Sequence, residues 1–150
     1  MEKEKRFTQF VKIVLDFMFY AGILVTVSLP FSMKWIGKYY PPVQEHYGES
    51  VMIYFVLGIA ALVIIRELRR IFKTVLAEDC FVMSNVTSLD KMAKWSFFIV
   101  LMSVVRSVVY LTVAMLVVIL VFIIAGMFSK VLAMVFAEAV RYKEENDLTI

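Results

Sequence analysis

The stretch WSFFIVLMSVVRSVVYLTVAMLVVILVFIIAGMFS, Trp95 to Ser129, decides how this chain is read: thirty-five consecutive residues carry one charge, Arg106. That is too apolar and too long for a core helix of a soluble domain, so the chain is expected to lie in a membrane. Arg106 then sets the number of spans. An arginine inside an apolar run either borders two segments or occupies a position within one.

If Arg106 is a border, Ser107 to Ser129 forms one span and the chain crosses three times. Trp95 to Val105 then stays outside the bilayer with nothing to bury it. If Arg106 lies within a span, a helix entering at Met92 leaves near Leu111, turns around Thr112 to Ala114 and returns from Met115 to Ala137. The residues from Trp95 to Ala137 then form two spans of about 20 residues and a tight turn, which bilayer thickness allows.

Charge placement favours the second arrangement. With four spans, the cytoplasmic segments hold Lys3, Lys5, Arg6, Lys12, Arg66, Arg69, Arg70, Lys73, Lys91, Lys94, Lys130, Arg141 and Lys143, while only Lys34 and Lys38 face outward. That asymmetry obeys the positive-inside rule with both termini in the cytoplasm. The expectation is an all-α integral membrane four-helix bundle, a multi-pass protein. Its spans are 11–31, 50–66, 92–111 and 115–137, with an outer loop 32–49, a cytoplasmic helical hairpin 67–91 and a cytoplasmic tail 138–150.

Composition agrees and excludes several functions. The 150 residues are 62% hydrophobic with a mean hydropathy of +0.84, outside the range of soluble domains. The net charge of +3 reports topology, so no direct contact with nucleic acid is expected. One cysteine, Cys80, allows no internal disulfide, and one histidine, His46, gives a His/Cys metal cluster too few ligands. No nucleophile with a base and no phosphate loop is present, so no enzymatic activity and no cofactor are expected.

Outward from the central run, each flank carries a signal. Lys12 and Asp16 are one turn apart near the start of the first span, where an i,i+4 pair forms at the interface. Pro30, Pro41 and Pro42, among Trp35, Tyr39, Tyr40 and Tyr47, predict a loop in an aromatic belt. Arg66, Arg69, Arg70 and Lys73 recur at i, i+3, i+4 and i+7, opposite an apolar stripe of Leu68, Ile71, Phe72 and Val75. That basic stripe suits anionic headgroups or a docking partner. Ser84 or Asn85 suits an N-cap for the next helix.

Arg106 lies twelve residues beyond Lys94, about 18 Å along a helix and past the middle of a ~30 Å hydrocarbon layer. Ser96, Ser103, Ser107 and Tyr110 share its face, so a polar stripe turns inward. Either Arg106 bridges to an outer group such as Glu49, or it lines a pathway or ligand site. Ala125, Ser129, Ala133 and Ala137 form a small-residue ridge for close helix contact. In the tail, Glu144, Glu145 and Asp147 are placed to meet the basic stripe.

Phe81, Val82, Asn85 and Leu89, together with the ending Glu145, Asp147, Leu148, Thr149 and Ile150, resemble the YoaS-like family of small bacterial four-span membrane proteins of unknown function. Cys80 and Asp90 depart from that pattern, which favours Pro and a basic residue there. The resemblance implies cytoplasmic termini and a neighbouring small helix-turn-helix regulator.

The expected function is therefore a non-enzymatic membrane module that binds such a regulator. Arg66, Arg69, Arg70, Lys73, Phe81, Asn85, Glu145, Asp147 and Leu148 would form the partner surface. The alternative is a small transporter or channel component using Asp16, Ser103, Arg106, Ser107 and Tyr110. Immunity to a membrane-active peptide and homo-oligomer formation are further readings.

Overall fold

A computed structural model of the chain describes residues 1–149, without the side chains of Pro42 and Val43. The elements are α1 (Glu2–Gly37), α2 (Pro41–Glu45), α3 (Tyr47–Leu76), α4 (Met83–Val109) and α5 (Val113–Leu148). The described residues are all-helical, and α1, α3, α4 and α5 are each long and apolar enough to cross a membrane. At 1.5 Å per residue, the 36-residue α1 and α5 are each about 54 Å long against a hydrocarbon layer of about 30 Å. The four run alternately up and down. Both chain termini lie at one end, with the turn between α3 and α4; α2 and the turn before α5 lie at the other.

The bundle is open. Among the described residues α1 packs on α3, α3 on α4, and α4 on α5, while α1 touches neither α4 nor α5. The helices therefore stand in a row, in chain order. α4 is central in burial as well as in place: nine of its residues are buried, against four each in α1 and α3 and five in α5.

Each seam has its own chemistry. Between α1 and α3, a methyl on Gly22 would come within 2.9 Å of Leu62, and one on Gly58 within 2.9 Å of Thr26. These glycines let the two backbones approach, and Thr26 Oγ1 donates to the Gly22 carbonyl at 2.7 Å. Between α4 and α5, Phe97 lies on Gly126, where an added methyl would meet the ring at 3.1 Å. Of the small-residue ridge, Ser129 and Ala133 are buried and Ala125 and Ala137 half-buried; Gly126, outside the ridge, is buried as well. A cluster of Ile71, Leu89, Met92 and Ala133 joins α3, α4 and α5 near the termini end.

The prolines end up differently from the loop they predict. α1 runs through Pro30 to Gly37, as membrane helices tolerate an internal proline. The Pro30 carbonyl accepts from Tyr47 Oη at 2.7 Å, which ties α1 to the start of α3. Pro41 opens α2, at the position where a helix has no use for an N–H. The segment 32–49 is thus mostly helical.

Two other local expectations are corrected. Asn85 does not cap α4; the helix starts at Met83 behind an extended Val82, and Asn85 sits inside its first turn. The segment 138–148 does not fold back on the basic stripe but continues α5 as helix. Its charges are satisfied along the helix and by the α3–α4 turn: Arg141 binds Glu138 at 2.5 Å and lies 3.9 Å from Glu145, while Lys143 donates to Asp79 at 2.7 Å. Helix propagation needs only local pairs, whereas a return to α3 would strand four last-turn carbonyls.

Candidate functional site

Two arginines, one toward the termini end of the bundle and one toward the α2 end, concentrate the polar chemistry. Arg69 of α3 is answered from within the chain. Its Nε donates to Asp16 Oδ1 at 2.5 Å, its guanidinium lies 4.5 Å from the Phe19 ring centre and 5.4 Å from that of Tyr20, and Lys12 approaches Asp16 at 3.4 Å. Asp16, read from sequence as a partner for Lys12 alone, thus ties α1 to α3.

Arg106 is placed differently. It lies in the last turn of α4 and is 6% exposed. One nitrogen donates to Ser50 Oγ, which is completely buried, at 2.9 Å. The guanidinium stands 4.8 Å over the Tyr110 ring. Tyr110 Oη in turn meets His46 Nδ1 at 2.7 Å, and the two rings are edge to face. No carboxylate reaches Arg106 among the described residues; Glu49 is exposed to solvent, and its neighbour Ser50 takes the role the sequence suggested for it. A neutral hydroxyl and a ring face offset only part of a buried guanidinium's desolvation.

Arg106 borders a cavity of 370 Å³, lined also by Tyr40, Tyr54, Tyr110, Thr112 and Met115. Thr112 is the N-cap of α5, its Oγ1 accepting from the Met115 N–H at 3.2 Å, so the positive end of a long helix dipole adjoins the same space. The guanidinium and the helix N-terminus supply the polar side of this space, whose remaining lining, with Val109 and Leu111 beside the tyrosines, is largely apolar. The arrangement suits an anionic group.

The inward stripe of α4 divides. Ser96 and Ser103 are buried, and Ser103 Oγ has no hydrogen-bond partner. Ser107 is turned aside and donates to the Val104 carbonyl of its own helix at 2.8 Å. Tyr110 lies past the helix end and reaches back under Arg106.

With that geometry in place, one comparison is decisive. A family model described as protein of unknown function (DUF2975) matches residues 32–150. The chain belongs to that family. No curated protein and no solved structure matches it. The DUF2975 stretch takes in every residue of the Arg106 cavity and the whole of α3, α4 and α5, with only the last part of α1.

At the termini end the DUF2975 segment holds the residues expected to meet a partner. Arg66, Arg70 and Lys73 are exposed, and Arg70 comes no closer than 3.7 Å to Glu67. Arg69 is taken up by Asp16. Phe81 is half open and stacks edge-to-face on Phe136 of α5. Asn85 is 1% exposed and its amide donates to Thr74 Oγ1 at 2.5 Å and to the Cys80 carbonyl at 2.7 Å. It clamps the end of α3 to the start of α4 and presents nothing to a partner. Glu145, Asp147 and Leu148 are exposed, and Ile150 lies outside the described residues.

The turn at this end is tightly tied. Glu78 adopts a left-handed conformation, φ 60°, closing α3 with bonds from its own N–H to Val75 and from the Asp79 N–H to Thr74. Lys5 pairs with Glu78 and holds its carboxyl below the usual range; Asp79 raises the Lys143 ammonium. Asp90, between Lys130 at 2.5 Å and Lys94 at 2.9 Å, is held down to about 2 by hydrogen bonds to both.

Sequence reasoning missed Glu67. It is 3% exposed on the face of α3 that carries Ile71, and its Oε2 has no partner. The surrounding Arg66, Arg69 and Arg70 make it look like part of a solvated charge run. Its spacing of four from Ile71 was the available signal. His46 and Tyr40 fall in the loop expected at 32–49, and Ser50, Tyr54 and Thr112 carry no motif; they meet only because the α2 end brings three helix termini together.

Proposed function

We propose that the protein is a non-enzymatic module of the bacterial cytoplasmic membrane. Its termini end faces the cytoplasm and binds a small soluble helix-turn-helix regulator. The observation carrying this reading is the tying of four helix ends into one platform. Lys5–Glu78, Lys143–Asp79 and the Asn85 clamp join α1, the α3–α4 turn, α4 and α5. A platform that costs little ordering entropy is a good docking surface. From it project Tyr142 and Leu148, beside the exposed carboxylates Glu144 and Asp147, which complement the basic surface of a DNA-binding protein. The basic residues concentrated at this end support its cytoplasmic placement, and the YoaS-like pattern at Phe81 to Leu89 and Glu145 to Thr149 supports the choice of partner.

Co-expression with the adjacent regulator followed by membrane fractionation tests the reading. The regulator is expected to sediment with membranes containing the full chain and to return to the soluble fraction when residues 144–150 are removed. A regulator that stays soluble in both cases ends the proposal. A reporter fused after the final residue checks the topology; an external signal would overturn it. Transport is a second reading, favoured by Arg106 and the unpaired Ser103 Oγ within α4. Flux into liposomes unchanged by Arg106→Leu would count against it.

A further inference from the structure

The Arg106 cavity does not end at its polar wall. Tyr54 and Met115 line it and also line a second space, an apolar groove of 330 Å³. The groove is bounded by Val25 and Leu29 of α1, Leu57 of α3, Ile99 of α4, and Val118 and Phe122 of α5. It exists because the row is open: α1 and α5 do not meet, so the face of α3 and α4 between them is left uncovered. Polar cavity and apolar groove are thus two compartments of one continuous site, each within the ~300–1,000 Å³ range of ligand pockets.

We infer that this site holds one anionic phospholipid, its headgroup phosphate on Arg106 and an acyl chain in the groove. The charge argument selects the headgroup. Arg106 has five N–H donors in a planar fork, one of them used by Ser50, and no carboxylate within reach. A phosphate accepts two of the remaining donors side by side, and the α5 N-terminus at Thr112 adds its partial positive charge. Arg106 is in the last turn of its helix, past the middle of the span toward the α2 end, so it is reached by a lipid of the leaflet at that end.

The groove selects a lipid over a free anion. A small soluble anion would use the cavity alone and gain nothing from Val25, Leu29, Leu57, Val118 and Phe122, whereas one molecule carrying both a phosphate and a chain engages both compartments. An acyl chain fills that space. The groove also opens sideways between α1 and α5, which is how a lipid enters.

The test uses the full chain purified in mild detergent and delipidated, with binding followed by native mass spectrometry. Phosphatidylglycerol is the probe, diacylglycerol supplies chains without charge, and inorganic phosphate supplies charge without chains. The wild type is expected to take up one phosphatidylglycerol at least tenfold more tightly than diacylglycerol. Arg106→Leu should lose at least tenfold, and Arg106→Lys should recover part of it. Val118→Trp, which fills the groove and leaves the polar wall intact, should lose the lipid yet keep any binding of phosphate. Equal binding by Arg106→Leu, equal binding of diacylglycerol, or unchanged phosphatidylglycerol binding by Val118→Trp would each overturn the inference. Phosphate binding with no preference for phosphatidylglycerol would make this a soluble-anion site instead. Should Arg106→Leu fail to fold, Val118→Trp and Tyr40→Ala decide the question alone, since both lie on the site and neither removes a buried charge.

Discussion

Arg69 and Arg106 are both drawn into the helical row, both lie over a tyrosine ring, and they differ in one respect. Arg69 has a carboxylate at 2.5 Å; Arg106 has a serine hydroxyl at 2.9 Å. The first is a joint between helices, because every part of its charge is met by Asp16, Phe19 and Tyr20. The second is a charge held in readiness. The contrast extends to their surroundings: the termini end is cross-linked by ion pairs, and the α2 end is walled by tyrosines around an open cavity.

The largest effect is expected at the joint. Asp16→Ala leaves Arg69 partly buried without its carboxylate and should destabilise the protein by about 2–3 kcal/mol, a discounted value because both side chains keep some water contact. Arg69→Leu in the same background should restore much of that loss. Arg106→Leu should cost far less, since it removes a charge with no ion pair to break. Denaturant titration of the three variants in detergent measures the order, and an Arg106→Leu loss as large as that of Asp16→Ala would erase the distinction.

Asn85→Ala comes next. It removes two hydrogen bonds at a fully buried position and leaves Thr74 Oγ1 and the Cys80 carbonyl short of a donor, at a cost of about 1–3 kcal/mol. If Asn85 were instead a partner contact, the same variant would lose regulator binding with its unfolding midpoint unchanged. Gly126→Val should then cost about 1–2 kcal/mol by driving Phe97 from its seat on α5, loosening α4 from α5 and leaving the α1–α3 seam as it was. Cysteine pairs spanning the two seams would report which of them opens.

The smallest effects lie on the surface of the termini end. Asp90 is held to about 2 by Lys130 and Lys94, below its ordinary 3.8. A depressed carboxyl stabilises the fold above its unfolded pKa and loses that contribution as pH falls through the folded one. The link between α4 and α5 should therefore weaken between about pH 4 and pH 2, and Asp90→Asn should flatten this part of a melting-temperature profile. Glu78→Gly should leave the melting temperature nearly unchanged, because glycine adopts φ 60° without strain while the exposed pair with Lys5 is lost.

The helical class and the count of four long apolar helices were legible because Arg106 sits among residues too apolar to leave outside a bilayer. The small-residue ridge was legible because 3.6-residue periodicity survives in a sequence of one composition. What escaped shares a cause. Pro30 sits inside a helix, and its carbonyl is reached by Tyr47, seventeen residues on. Asn85 is a clamp because Thr74 comes back to it across a turn, and Ser50 meets Arg106 from fifty-six residues away. Helical spacing ranks residues along one helix and carries no information about the register between two. Glu67 was hidden for a different reason: neighbouring arginines mask an acidic residue that faces the opposite way.

The row order of the helices has a kinetic consequence. Every seam joins helices consecutive in the chain, α1 with α3 across the short α2, α3 with α4, and α4 with α5. A chain delivered to the bilayer from its N-terminus can therefore close each seam as the next helix arrives. No helix is kept waiting for a distant partner, and no final ring closure is needed. The open edge that leaves room for a lipid also leaves the nascent protein without a slow last step.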